Sequence, residues 1–298
     1  MIDNYGRKIN YLRISLTDRC NLRCRYCMPE KGVNKISHFR VLTLEEIMRL
    51  IRVASTFNIR KIRLTGGEPL VRKNITKLIT SVAEIPGIDD IAITTNGILF
   101  ADMSNDLKNA GLTRVNFSLD SLDGNTFSYI TRGGNVKNVM RAISKALEIG
   151  LHPVKINMVV LNGINDHEIL RFAQIAYEFP LHVRFIEYMP IGDLSFLQQQ
   201  QLIASDKVKA IIETQYRLLE NTEVLGNGPA NYYNMAGGLG TVGFISPMTN
   251  HFCSACNRIR ITADGKLKNC LFSEEEINLK VALQNSASDE ELAKIFQN

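Results

Sequence analysis

The chain has 298 residues, of which 45% are hydrophobic and 22% are charged, with 35 Lys and Arg against 30 Asp and Glu. This composition is typical of a globular protein and excludes a disordered chain, a collagen and a small disulfide-stapled module. The formal net charge of +5 is too small to indicate nucleic-acid binding without a basic stripe, and it suits an anionic small molecule equally well.

The predicted elements form six repeated strand–helix units. Helices are indicated by apolar residues spaced three and four apart, such as Leu44, Ile47, Met48 and Ile51. The predicted strands are 11–17, 61–65, 90–95, 114–119, 154–160 and 182–188, and the predicted helices are 44–57, 74–85, 101–110, 136–149, 166–177 and 205–214. Strands that alternate with helices indicate a mostly parallel sheet, so the predicted fold class is α/β, a partial (β/α)6 TIM-type barrel.

Two domains are predicted, of residues 1–214 and 215–298. Six units are two short of a full barrel and leave a lateral opening, which a C-terminal α+β extension would cover. The strand-like runs of the extension are 240–245, 258–262 and 266–271. Ser288 and Glu291 match a capping box ahead of a last helix, and the glutamine tract 198–201 is predicted to be a solvated loop.

Six cysteines form two groups of three. The first triad is Cys20, Cys24 and Cys27, and the second triad is Cys253, Cys256 and Cys270. No apolar segment is long enough to span a membrane and residues 1–8 show no secretion signal, so we expect a cytoplasmic protein without membrane partners, whose cysteines are reduced. Clustered thiolates bind soft metals or iron–sulfur clusters, and three of them on a four-iron cluster leave one iron open to a ligand.

Two other interpretations of the cysteines remain. A zinc site requires four ligands, which His251 would complete in the second triad, whereas the first triad has no near histidine. Six unrelated buried thiols would be scattered along the sequence and would not cluster in this way.

The first triad, C-x3-C-x2-C with Tyr26 before its third cysteine, resembles the radical S-adenosylmethionine (SAM) superfamily. It follows the first predicted strand directly, at the strand end where active sites of such sheets lie. The segment 65–69 (TGGEP) follows the second strand and matches the second motif of the superfamily. By this resemblance the open iron chelates SAM, and reduction of the cluster produces a 5′-deoxyadenosyl radical.

Cationic side chains recur on strands that should be apolar if both faces are buried. Because strand side chains alternate, the following pairs each share one face of a strand: Arg13 with Ser15, Lys61 with Arg63, and Lys155 with Asn157. Each alone could be a charge at a strand end or between helices. Together they predict a polyanionic ligand, because an isolated buried cation is very costly. Arg258 and Arg260 would share one side of a strand beside the second triad, and no P-loop is present to hold phosphates instead.

The sequence resembles the GTP 3′,8-cyclases of molybdenum cofactor biosynthesis from about residue 5 to about residue 295. The matching segments are 17–21 (TDRCN), 27–29 (CMP), 61–69 (KIRLTGGEP), 94–97 (TTNG), 184–187 (RFIE), 253–260 (CSACNRIR) and 264–266 (DGK). The first triad specifies only the superfamily. The second triad with the Arg-x-Arg that follows it is the more specific part.

The resemblance assigns a role to each matching residue. Cys20, Cys24 and Cys27 hold one [4Fe-4S] cluster, and Cys253, Cys256 and Cys270 hold a second, whose open iron binds guanine. SAM is contacted by Tyr26, Gly67, Ser118 and Met189. GTP is bound by Arg13, Lys61, Arg63, Thr94, Lys155, Arg258 and Arg260. The radical abstracts the ribose 3′-hydrogen, the carbon radical attacks C8, and the product is (8S)-3′,8-cyclo-7,8-dihydro-GTP, without a side chain acting as general base.

The resemblance also implies partners: a reducing electron donor protein and a second copy of the chain in a homodimer. Family members end in a Gly-Gly tail that reaches the active site, whereas this sequence ends at Gln297 and Asn298. We therefore expect folding and cluster binding to be retained, and full cyclase activity to depend on that tail. The alternatives are a radical SAM peptide-modifying enzyme with an auxiliary cluster and an inactive iron–sulfur or GTP-binding relative.

Overall fold

A twelve-stranded sheet runs through the part of the chain that the computed structural model describes, which comprises residues 1–3, 6–190, 196, 201–221, 223 and 228–297. Apart from Gln201, the predicted glutamine loop lies outside these residues. The strands are β1 (Tyr11–Ser15), β2 (Lys61–Thr65), β3 (Asp90–Thr95), β4 (Arg114–Ser118), β5 (Val154–Val160), β6 (His182–Glu187), β7 (Leu218–Glu220), β8 (Asn231–Met235), β9 (Thr241–Ile245), β10 (Arg258–Ile261), β11 (Lys266–Lys268) and β12 (Ile277–Asn278). All six predicted strands of the repeated units are present.

The helices follow the predicted alternation. They are α1 (Leu44–Ser55), α2 (Ile75–Ala83), α3 (Phe100–Asn109), α4 (Gly124–Thr131), α5 (Val136–Glu148), α6 (Ile169–Glu178), α7 (Ser205–Glu213), α8 (Leu279–Gln284) and α9 (Asp289–Gln297). The six predicted helices end within about three residues of the observed bounds, as fraying and cap geometry allow. Helix α4 was not predicted; its N-cap residue is Asp123, whose carboxylate accepts hydrogen bonds from the amides of Asn125 and Thr126.

The partial-barrel prediction is confirmed, and the C-terminal region extends the sheet at both ends. Strands β1 to β6 lie side by side and parallel. Strand β10 adds to β1 and strand β9 adds to β6, both in parallel, so eight described strands run in one direction. Antiparallel strands complete the two edges, β11 and β12 beyond β10, and β8 and β7 beyond β9.

Strand alternation separates the core from the interior of the barrel. Outward-facing residues such as Leu12, Ile14, Ile62 and Phe117 are fully buried against the helices. The inward-facing set is polar instead, because every second residue of the same strands points to the opposite face. The sequence therefore builds its hydrophobic core around the outside of the sheet and leaves a polar interior.

The capping box predicted for the last helix is confirmed. The Ser288 amide donates to the Glu291 carboxylate at 2.7 Å, and the Glu291 amide donates to the Ser288 hydroxyl at 3.2 Å. Among the described helices, none has the length and apolar character that crossing a membrane requires.

Candidate active site

A cavity of about 860 Å³ opens at the carboxyl ends of the parallel strands. Its polar lining from the strands includes Arg13, Ser15, Arg63, Thr94, Asn116, Asn157, Arg184, Arg258 and Arg260. These residues come from β1 to β6 and from β10 and occupy the inward face, as strand alternation predicts. The cations therefore point into a shared space and not between helices.

The cavity arginines lie close enough to disfavour one another's charge. Burial lowers the pKa of Arg13 well below its ordinary value, and the charge of Arg260, its partner in the β1–β10 register, acts in the same direction. Burial also lowers the pKa of Arg63 to about 10, with Arg114 and Arg184 contributing. Cations held this way would be strongly stabilised by a bound anion, because opposite charge within a few ångströms favours the charged form.

Polar neighbours aim these guanidinium groups without neutralising them. Arg63 donates to the Tyr11 hydroxyl and, at 3.1 Å, to the Thr94 hydroxyl. Asn116, with its carbonyl oxygen turned inward, accepts hydrogen bonds from Arg63 and Arg184. Among the described residues, the Nε atoms of Arg13 and Arg184 are buried without a hydrogen-bond partner. Buried donors of this kind are normally satisfied, so their orientation indicates a ligand that accepts hydrogen bonds.

Two predicted ligands, Lys61 and Lys155, are not among the described cavity-lining residues. Lys61 is the half-buried first residue of β2, and Lys155 pairs in register with His182, one inward position before Arg184. Lys155 is buried, and its Nζ atom donates to the Tyr232 hydroxyl at 2.9 Å. Burial lowers the pKa of Lys155 to about 6, and the charges of Arg184, Arg114 and Arg63 add to the effect.

The first cysteine triad lies in the loop that follows β1. The Cys27 and Met28 amides both donate to the Cys24 carbonyl oxygen, which forms a tight turn around the second and third cysteines. Burial is the main cause that raises the pKa of Cys24, and the charges of Asp120, Cys27 and Cys20 follow. The three thiols therefore lie close enough for the charges of Cys20 and Cys27 to affect the pKa of Cys24.

Contacts fix this loop over the carboxyl ends of β2 and β4. The amides of Gly67 and Glu68 donate to the carbonyl oxygens of Thr17 and Arg19, each at 2.8 Å. A Cβ at Gly67 would overlap the Arg19 carbonyl oxygen, so this close approach requires glycine. On the other side, the Tyr26 hydroxyl donates to the Asp120 carboxylate at 2.7 Å.

The predicted SAM contacts divide between this loop and the cavity. Met189, which follows β6, lines the cavity together with Gly66, the neighbour of Gly67. Ser118 ends β4 and pairs in register with Asn157, which also lines the cavity. Tyr26 is tied down through its hydroxyl by Asp120. Of the four residues, Met189 alone is among the described cavity-lining residues, and Gly67 and Ser118 each neighbour or pair with a residue that lines it.

The second triad lies on the cavity wall. Cys253 and Cys256 precede β10, and Cys270 follows β11, so the antiparallel β10–β11 pair brings the third cysteine back to the first two. All three line the cavity. Burial acts to raise the pKa of Cys256, but the charge of Arg258 and its hydrogen bonds outweigh this effect, so the pKa is lowered. A lowered thiol pKa favours the thiolate, the form that binds metals.

The donor sets suit clusters better than single metal ions. Among the described residues, no three His, Cys, Asp or Glu side chains converge closely enough to hold one ion, and this includes His251 with the second triad. A four-iron cluster spreads its thiolates more widely, because each binds a different iron. Three cysteines in each triad therefore fit a cluster with one open iron.

Sequence reasoning missed several lining residues. Arg184, Asn116 and Arg7 line the cavity, and Arg7 donates to the Cys253 carbonyl oxygen at 3.0 Å. The signal for Arg184 and Asn116 was the same alternation that singled out Arg13 and Arg63, because each stands on the inward face of its strand. Arg7 precedes β1 and had no such signal.

Comparisons with known proteins agree along the chain. The Radical SAM superfamily model matches residues 14–176, and the Molybdenum Cofactor Synthesis C model matches residues 181–298. The GTP 3′,8-cyclase of Syntrophomonas wolfei is 58% identical over 99% of this chain and 91% of its own length, and that of Desulforamulus reducens is 54% identical with the same coverage. The chain belongs to the GTP 3′,8-cyclase family.

The fold is also shared outside the GTP 3′,8-cyclase family. Streptococcus suis SuiB bound to S-adenosylmethionine aligns with a TM-score of 0.62 at 15% identity, over 98% of this chain and 64% of SuiB. At such identity the likeness concerns the fold alone. The peptide-modifying alternative is therefore not favoured, since relatives at 47% to 58% identity are named GTP 3′,8-cyclases.

Proposed function

We propose that the chain converts GTP to (8S)-3′,8-cyclo-7,8-dihydro-GTP by radical SAM chemistry. The observation that carries this proposal is a cavity lined with arginines and with the second cysteine triad, next to the loop that holds the first triad. The second triad stands on the cavity wall, and the loop of the first triad is pinned to Gly67, beside the cavity-lining Gly66. A single cavity between two open cluster irons can hold SAM and a nucleotide side by side.

Each triad would hold one [4Fe-4S] cluster, which makes two per chain. Tyr26, Gly67, Ser118 and Met189 would contact SAM beside the first cluster, which Cys20, Cys24 and Cys27 would hold. When bound, SAM and this cluster supply a 5′-deoxyadenosyl radical that takes hydrogen from the 3′ carbon of the ribose. The support is the match to the radical SAM model together with the donor chemistry of the triads.

GTP would bind through the cations of the interior. Arg13, Arg63, Arg258 and Arg260 offer bidentate donors that suit phosphates and purine edges, and Thr94 aligns Arg63. Lys61 and Lys155 would contribute positive charge from outside the cavity lining. The second cluster, on Cys253, Cys256 and Cys270, would meet the guanine.

The protein's own contribution is binding, orientation and exclusion of water. The arginines would hold the phosphates and the second triad would hold the guanine end, so the ribose would be presented to the radical in a defined position. The apolar residues among the cavity lining, such as Ile186, Met248 and Phe252, keep the space around the reacting carbon dry. None of these steps requires a general base.

The decisive experiment is anaerobic reconstitution of the chain with iron and sulfide. Reductant and SAM are added with and without GTP, and 5′-deoxyadenosine and cyclised GTP are measured by mass spectrometry. We expect both products, each dependent on GTP. If neither product appears, or if deoxyadenosine appears alone, the measurement is repeated after a Gly-Gly tail is added. Two clusters per chain without cyclised GTP in the tailed protein would contradict the proposal.

The GTP site is tested by changing Arg258 and Arg260 to Ala. Two charge-assisted hydrogen bonds are worth about 1.5–3 kcal/mol each, so we expect GTP affinity to fall by at least about 100-fold. The matched control is Arg141→Ala, because Arg141 is an exposed arginine paired with Asp102 on the outer surface. Equal GTP affinity in the double variant and the control, measured by calorimetry, would refute the site.

Two partners and a location belong to the same proposal. Reduction of the first cluster requires an electron donor protein, and the family resemblance supports a homodimer. Reduced cysteines and a nucleotide substrate support a cytoplasmic location. Sedimentation of the reconstituted protein tests the dimer, and a single species at 33.5 kDa would contradict it.

A further inference from the structure

The side chain of Asn96 lies against the first cysteine of the first triad. Asn96 directly follows β3, and its Nδ2 atom is 3.8 Å from the Cys20 Sγ and 2.8 Å from the Asn21 Oδ1. It belongs to the 94–97 segment that sequence analysis singled out, of which the proposed function uses only Thr94. The Leu22 amide also donates to the sulfur at 3.4 Å, and the thiol itself donates to the Asn21 Oδ1 at 4.0 Å. Asn96 is thus the described side chain that donates to this thiol.

Hydrogen bonds fix the orientation of the Asn96 amide. Its Oδ1 atom accepts from the Ile98 amide at 3.1 Å, and its Nδ2 atom donates to the side-chain Oδ1 of Asn21. A flipped amide would place its NH₂ group against the Ile98 N–H and its oxygen against the Asn21 Oδ1. The NH₂ group must therefore face the sulfur.

A buried carboxylate holds the backbone of Asn96 in place. Glu68 is 1% exposed, and its Oε2 atom accepts the Asn96 amide at 2.8 Å. Its Oε1 atom accepts from the Thr95 hydroxyl at 2.7 Å and from the Leu70 amide at 3.1 Å. Glu68 follows Gly67, so the turn that approaches the loop of the first triad also sets the position of Asn96.

We propose that Asn96 is a positioning residue for the SAM cluster, and that its N–H donates to the Cys20 thiolate when the cluster is bound. A hydrogen bond to a cluster sulfur stabilises the reduced state, which carries more negative charge, and so raises the reduction potential. Through its hydrogen bond to the Asn96 amide, Glu68 fixes the position of this donor relative to the turn after β2. The inference rests on the proposed function only in requiring an iron–sulfur cluster on the first triad, and it is independent of GTP.

The test is the reduction potential of that cluster in the reconstituted full chain, without GTP. Asn96→Leu removes the donor at similar size, and Asn96→Asp keeps the contact to the Ile98 amide but replaces the donor with a negative charge. The cluster is identified by the change in its electron paramagnetic resonance signal when SAM is added. We expect a more negative potential in Asn96→Leu and a still more negative one in Asn96→Asp, with weaker SAM binding in both.

The matched control is Asn221→Leu. The Asn221 Oδ1 atom accepts the Glu223 amide two residues on, and its Nδ2 atom donates to the Asn234 Oδ1, so it makes the same two contacts at the β7–β8 edge of the sheet. This variant should keep the potential of the unmodified chain. Loss of the first cluster alone, in both Asn96 variants with unchanged circular dichroism, would also support positioning of the thiolate.

An unchanged potential in a fully loaded Asn96→Leu protein would overturn the inference. That outcome is distinct from failure of the proposed function, in which the unmodified chain itself would show no SAM-responsive cluster.

Discussion

Single residues decide the electrostatics of the interior. Arg13, Arg63 and Arg184 point into one cavity, with carboxylate partners absent among their described hydrogen bonds. Another inward cation, Arg114, is paired with Asp90, and its Nε atom donates to the carboxylate at 2.6 Å. The Asp90 carboxylate thus neutralises Arg114 and leaves the other inward arginines for a ligand.

Lys155 should make GTP binding dependent on proton uptake. Its pKa of about 6 in the ligand-free protein means that it is mostly neutral at pH 7.5. A triphosphate in the cavity would offset the positive charge around Lys155 and raise its pKa, so we expect uptake of up to about one proton per GTP. The uptake should fade below pH 6, where the ligand-free lysine is already charged.

Calorimetry in two buffers of different ionisation enthalpy measures this uptake. Lys155→Met provides the comparison, because protons released or taken up by GTP itself are common to both proteins. If the variant and the unmodified chain show the same dependence on buffer, the role assigned to Lys155 is wrong.

The turn after β2 positions the loop of the first triad. The turn after β2 brings Gly66 and Gly67 against the backbone of residues 17–19, where a Cβ on either glycine would lie closer than 3.0 Å to a carbonyl oxygen. Backbone cannot yield as a flexible side chain can. The element therefore depends on two residues that lack a side chain.

Gly67→Ala should separate the first triad from the turn after β2. We expect the free energy of unfolding to fall by about 1–3 kcal/mol, as for other overpacked sites. The free energy of SAM binding should weaken by at least the same amount. The control is Gly124→Ala in the first turn of α4, where a Cβ meets nothing within 4 Å. Chemical denaturation and SAM titration of both variants check this expectation, and equal behaviour would contradict it.

The capping box of α9 should stabilise this last helix. Loss of an N-cap hydroxyl costs about 1 kcal/mol, so Ser288→Ala should lower the free energy of unfolding by that amount. Helix α9 packs on α1 and its neighbourhood, where the ring of Phe296 lies 6.5 Å from that of Phe57. Urea denaturation measures the change, and no loss of stability would show that α9 is already frayed.

The whole molecule is joined by the sheet across the predicted boundary at residue 214. Strand β9 pairs with β6 over five residues, and β10 pairs with β1 over four, so both edges of the six-stranded barrel are covered from beyond that boundary. The division into domains 1–214 and 215–298 stays a prediction. The pairing indicates that the two parts stabilise one another.

A fragment of residues 1–214 should therefore fold poorly on its own. It would expose the edges of β1 and β6 with their unpaired backbone groups, which favours aggregation. We expect lower solubility and a thermal unfolding midpoint below that of the full chain, as measured by circular dichroism. A fragment that unfolds cooperatively at the midpoint of the full chain would instead establish an independent domain.

Local patterns determined much of this protein. Periodicity located the six strands and their helices, because each element buries one stripe or one face whatever lies beside it. Cysteine spacing and the glycine turn marked the chemistry, since few residue types serve those purposes. The short strands β7, β8 and β12 and helix α4 were missed, because pairing partners and one cap stabilise them and their own patterns are weak.

Only the tertiary structure decided which residues meet. Sequence alternation placed Arg13, Arg63 and Lys155 on inward faces, yet their place in the barrel depends on strand register, which put Lys155 outside the cavity lining and Arg184 within it. The addition of β9 and β10 at opposite edges of the sheet, and the contact of Asn96 with Cys20, join residues far apart in the chain. Such contacts depend on the packing of the whole sheet, and a pattern within one segment carries no information about them.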